Sequence, residues 1–159
     1  MATGSIILHL SAAELDDTSP PGIGFVNSRR MLLFDTGTDE ICYWSFRLPS
    51  NYSSTPVLKL QYSMTQAIAG TLQFEAAVMA NSPGDAVSIF VDSYDTVNSD
   101  SNTVPGTIHY PEEISITLTN NDAMIAGDFV WIKLNRDVGV GGDAEGDAEL
   151  WNVTLEYLT

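Results

Sequence analysis

Apolar and polar residues alternate with a period of two along most of the chain, in short runs separated by clusters of Gly, Pro, Asn and Asp. Residues 56–64 set Leu58, Leu60, Tyr62 and Met64 on one face and Val57, Lys59, Gln61 and Ser63 on the other. Residues 71–80 do the same with Leu72, Phe74, Ala76, Val78 and Ala80 against Thr71, Gln73 and Glu75, after which Asn81-Ser-Pro-Gly-Asp85 turns the chain. Ile114, Ile116 and Leu118 alternate with Ser115, Thr117 and Thr119, and Trp151, Val153, Leu155 and Tyr157 with Asn152, Thr154 and Glu156. These are half-buried antiparallel strands with one face in a core.

Further strands are predicted at 4–10, 29–34, 40–48, 86–91 and 128–136, about nine in all, with long connections at 11–28, 92–113 and 137–148. No segment sustains a helical stripe; Asn121 to Gly127 fits at most a single turn, entered through Asn120 and Asn121. No repeat of 20 to 50 residues is present, which argues against a propeller or solenoid. The pattern predicts an all-β fold: a single-domain antiparallel β-sandwich, jelly-roll-like, with eight or nine strands. Residues 1–28 form an N-terminal strand and loop or arm, and 29–159 the sandwich domain.

Two strands are apolar on both faces. In 40–48, Cys42, Trp44, Phe46 and Leu48 make one face while Ile41 and Tyr43 lie on the other; in 128–136, Phe129 and Trp131 oppose Val130, Ile132 and Leu134. Either a long loop covers the outer face, or Ile41, Tyr43, Phe129 and Trp131 belong to a subunit contact of a homo-oligomer.

Composition narrows the function. The 159 residues carry 21 Asp plus Glu against 6 Lys plus Arg, a formal charge of −15. So few cations argue against nucleic acid, and against anionic membrane surfaces as well. With 44% hydrophobic and only 17% charged residues the chain has the composition of a folded domain, not of an acidic disordered tail. The N-terminus has no basic segment ahead of its short apolar run, so synthesis in a cytoplasm is expected.

Candidate chemistry is sparse. Cys42 is the sole cysteine, within Ile41-Cys-Tyr-Trp44, where a buried inert thiol is expected. His9 and His109 have no spacing that pairs them with a nucleophile and are expected to be structural or solvated. No nucleophile elbow, phosphate-binding loop, zinc-protease or CxxC signature occurs, and no enzyme activity is expected. No cofactor is called for. The densest acidic group is Asp143, Glu145 and Asp147, whose alternate carboxylates are a weak Ca²⁺ candidate; a solvated acidic loop is the preferred reading.

Residues 114–137, 146–157 and 44–52 (Trp-Ser-Phe-Arg-Leu-Pro-Ser-Asn-Tyr) resemble, in their strand and turn residues, small β-sandwich virion proteins of tailed phages. That resemblance implies a capsid decoration, or cement, protein: a homotrimer on the outer capsid surface of the virion, with the major capsid protein as partner. The alternative is a carbohydrate-binding β-sandwich module, lectin-like or fibre-associated, in which Tyr43, Tyr52, Tyr94 or Trp131 stacks on sugars.

Overall fold

The computed structural model describes residues 2–66 and 68–159. Strands run in chain order β1 (Thr3–Ile7), β2 (Glu14–Leu15), β3 (Gly22–Val26), β4 (Arg29–Phe34), β5 (Ile41–Arg47), β6 (Ser54–Met64), β7 (Thr71–Asn81), β8 (Asn98–Thr103), β9 (Glu112–Thr117), β10 (Phe129–Arg136) and β11 (Ala148–Leu158). They form two sheets. The first has the order β3-β4-β11-β6-β9, with β1 also on β11; the second has the order β2-β5-β10-β7-β8. Every strand pair is antiparallel. The predicted all-β, jelly-roll-like sandwich is therefore the observed fold.

The core lies between the sheets, as the alternation predicts. Leu58, Leu60, Tyr62 and Met64 of β6 face Leu72, Phe74, Ala76 and Val78 of β7 across the interior, and all eight are buried. Phe34 and Phe74 meet edge to face across the two layers, centroids 5.3 Å apart, the geometry aromatic quadrupoles favour. Trp44 is buried and donates its indole N–H to the His9 carbonyl at 3.0 Å, which ties the N-terminal segment to the core. That segment also supplies β1, which extends β11, and β2, which extends β5.

The strand pattern departs from expectation in four places. Residues 86–91 form bends and turns, with Val87, Ile89, Phe90 and Val91 exposed, so apolar character alone makes no strand there. Conversely β8, Asn-Ser-Asp-Ser-Asn-Thr, lies in the stretch predicted to be a long loop; it is an edge strand whose backbone pairs with β7, with Ser99, Asp100 and Ser101 exposed and Asn98 buried and hydrogen-bonded to Ala76 and Asn120. The short β2 and the Gly-containing β3 are also edges within the predicted 11–28 connection. Asp122 and Ala123 are left-handed (φ 52° and 49°), so the 121–127 stretch is a bend and not a helical turn.

Candidate functional site

The predicted contact residues do share one surface. Register places Ile41 and Tyr43 of β5 and Phe129 and Trp131 of β10 on the outer face of the second sheet, with Tyr43 beside Lys133 and Trp131 beside Ser45 and Met79. Part of this face is covered from within the chain. Tyr94, in the connection before β8, lies on Tyr43 with ring centroids 6.2 Å apart. The Tyr43 hydroxyl donates to Asp16 at 2.9 Å, and burial, followed by that bond to a carboxylate, pushes the phenol up to about 12. Asp16 in turn is held below the usual carboxylate range by backbone N–H donors of Ser19 and Thr18. Phe129 and Trp131 pack on each other at 4.6 Å, and Phe129 stays 42% exposed. Tyr52 is not available to a ligand: it is buried against Tyr157, centroids 5.6 Å apart.

The three acids of the weak Ca²⁺ candidate have separate surroundings. Asp143 is engaged by the guanidinium of Arg136, 3.0 and 3.2 Å from its two oxygens, while Glu145 is exposed and Asp147 bonds through its backbone to Thr65. Among the described residues no group of three or more His, Cys, Asp or Glu side chains is placed to hold a metal ion.

The most developed site is on the opposite sheet, a cleft of about 620 Å³ bounded by β4, β6, β11 and the segment before β9. Its position follows from three local features. The β3–β4 hairpin turns through Asn27 and Ser28, both with positive φ (48° and 64°), a two-residue turn whose twist matches the strands and which sets Val26, Arg29 and Arg30 at the rim. His109 is also left-handed (φ 60°), held there as its N–H donates to the Met64 carbonyl at 2.9 Å. The third feature is a bulge in β11: Leu150 pairs with Tyr62 and Asn152 with Gln61, leaving Trp151 without a partner between them. Strict alternation puts Trp151 in the core beside Val153; the bulge turns it outward, 36% exposed, into the cleft wall.

Glu149 forms the acidic part of the wall. It is only 5% exposed, paired in register with Ser63. Ser63 donates its hydroxyl to Glu149 Oε2 at 2.7 Å, and His109 Nδ1 lies 2.9 Å from the same oxygen. A carboxylate only accepts, so His109 carries its proton on Nδ1. Glu149 Oε1 has no hydrogen-bond partner among the described residues, and neither has the buried Nε of Arg30. His109, expected to be structural or solvated, and Trp151, expected to be core, are the cleft positions that periodicity misses; only the Asn-Ser turn before Arg29-Arg30 is a local signal.

No family model matches the sequence, and no curated protein does. Among solved structures, a family 35 carbohydrate-binding module from an environmental isolate superposes with a TM-score of 0.56 at 12% identity, covering 97% of both chains. A non-crystalline-cellulose-specific module, CBM28, gives 0.56 at 9% identity over 89% of this chain and 86% of that one. A family 35 module from Clostridium thermocellum gives 0.50 at 12% identity over 98% and 99%. At such identities the likeness is one of fold. It corrects the reading as a capsid decoration protein: the folds matched along the whole chain are those of carbohydrate-binding modules, and the strand and turn residues behind the virion resemblance belong to a sandwich architecture that unrelated proteins share. The expected trimer, capsid partner and virion location rested on that same resemblance.

Proposed function

We propose that the chain is a non-catalytic carbohydrate-binding module that takes a saccharide in the cleft of the first sheet. The observation that carries this is a cleft wall that sets the unbonded Oε1 of Glu149 and the guanidinium groups of Arg29 and Arg30, which make no ion pair among the described residues, beside the exposed indole of Trp151. Carboxylate oxygens only accept and guanidinium N–H groups only donate, so this wall suits a ligand that both donates and accepts. A sugar ring does so through its hydroxyls, and its C–H face packs on an aromatic ring. Hydrogen bonds to charged groups are worth about 1.5–3 kcal/mol each, enough for Glu149 and Arg30 to set orientation.

Binding without hydrolysis fits the lining. Glycoside hydrolysis uses two carboxyl groups flanking the scissile bond, whereas Glu149 is the one carboxylate among the cleft's lining residues. The shared fold supports the reading without deciding it.

Tryptophan fluorescence tests it, because the three indoles occupy three environments: Trp44 in the core, Trp131 on the second sheet and Trp151 in the cleft. Titration with a panel of soluble glycans should quench emission in the wild type and in Trp131→Phe. Trp151→Ala should lose the signal and at least tenfold in affinity by calorimetry. Failure of the wild type to bind any glycan in the panel rejects the function; full-affinity binding by Trp151→Ala rejects the site.

A further inference from the structure

Resting on that reading, the geometry points to a more specific ligand: we infer that the cleft selects acidic saccharides, sugars whose ring carries a carboxylate or sulfate. The basis is the placement of charge. The chain has six Lys and Arg against 21 acids, yet two of its four arginines stand side by side at the cleft rim. The hairpin that carries them, residues 22–34, contains no acidic residue.

Three of the other four cations are engaged, and the fourth, Lys133, lies beside Tyr43 on the second sheet, away from the cleft. Lys59 bridges Glu113 and Glu156 at 3.6 and 3.3 Å, and Arg136 holds Asp143. Arg47 donates to the Gly127 carbonyl at 3.0 Å. Arg29 and Arg30 make no ion pair with any described residue, although carboxylates outnumber cations more than threefold. The one carboxylate of the cleft does not serve them either, since Glu149 Oε2 takes Ser63 and His109.

A guanidinium offers a planar fork that matches the two oxygens of a carboxylate or sulfate, while a neutral hydroxyl uses one N–H at a time. Two adjacent free forks therefore discriminate in favour of an anionic substituent. Glu149 sets the complementary limit. Its buried charge keeps the acidic group of the ligand away from its own end of the cleft, so that a hydroxyl faces Glu149. The ligand that satisfies both ends has hydroxyls to donate to Glu149 Oε1, a C–H face for Trp151 and an acidic group for the arginines.

The experiment is an equilibrium titration at neutral pH, read by tryptophan fluorescence and calorimetry. The probes are polygalacturonate (carboxylate), chondroitin sulfate (sulfate), dextran and hydroxyethylcellulose (neutral), and polyglutamate (anionic without sugar). At least one acidic glycan should bind tenfold or more tightly than either neutral one, and polyglutamate should not bind. The two acidic arms distinguish carboxylate from sulfate. In the double variant Arg29→Gln/Arg30→Gln the tenfold preference should vanish, and the single variant Arg29→Gln, at an exposed position, should reduce it even if the double variant folds poorly. Neutral glycans within tenfold of the acidic ones, equal binding of polyglutamate, or a preference that survives both variants overturns the inference. In the first case the module still binds sugar; only failure of every glycan removes the function as well.

Discussion

Arg136 is the largest charged side chain that the sandwich buries completely. Its guanidinium reaches the carbonyls of Phe34 at 3.0 Å and Gly146 at 2.9 Å, the Ala144 carbonyl and both oxygens of Asp143. One side chain at the end of β10 thereby fastens the 137–147 connection against β4. Removing it leaves a part-buried carboxylate and three carbonyls facing one another across a void. Arg136→Met should therefore destabilise the fold by about 3–5 kcal/mol, measured by urea unfolding, because an unpaired buried charge is worse than none. A parallel variant, Asp143→Asn, keeps an acceptor for the guanidinium and should be milder than Arg136→Met.

Within the strands, close backbone approach sets what each position tolerates. Thr71 at the start of β7 takes a hydrogen bond from Ala144 N at 3.0 Å and donates its own N–H to Gly142 at 2.9 Å, so the long connection runs hard against the strand entry. Gly70 sits at that crossing. A Cβ there would stand 2.7 Å from the Ala144 Cα, a backbone atom that cannot swing aside. Gly70→Ala should cost about 1–3 kcal/mol in thermal or urea unfolding, while leaving the sheets intact by circular dichroism. The β11 bulge works on the same scale with the opposite effect. It sacrifices one rung of the β11–β6 ladder and in return places Trp151 on the outer face together with Glu149. Such a step is invisible to alternation, which assigns Trp151 to the core with Val153, Leu155 and Tyr157; the first two strand positions after the bulge are back in phase and hide it.

For the molecule as a whole, buried phenols make stability pH-dependent at the alkaline end. Burial raises both Tyr43 and Tyr62 from the ordinary value near 10 to about 12, the Tyr43 shift being reinforced by Asp16. A tyrosine raised in the folded state binds its proton more tightly there than in the unfolded chain. Its contribution is fully present below pH 10 and is lost as pH rises from 10 to 12, where the unfolded chain ionises first. Urea midpoints should hold steady to about pH 10 and then fall, and Tyr43→Phe should flatten part of that decline. Charge at this scale also changes its meaning. The −15 argues against nucleic acid and anionic membrane surfaces, yet the acid-free hairpin 22–34 borders the cleft, so the global sign and the local sign are opposed where binding is proposed.

The sequence by itself determined the sandwich and most of its core. Period-two alternation depends only on which residues avoid water, and eight predicted strands coincide with observed ones. It also located the doubly apolar face of Ile41, Tyr43, Phe129 and Trp131, though not the Tyr94 ring that covers part of it. Tertiary structure alone decided the edge strands, which are held by backbone hydrogen bonds and need no apolar face. It alone decided that Asp143 pairs with Arg136. The cleft too is a tertiary fact. Arg30, Ser63, His109 and Glu149 are separated by 33, 46 and 40 positions along the chain and meet only through sheet pairing and a left-handed residue, neither of which leaves a periodic trace.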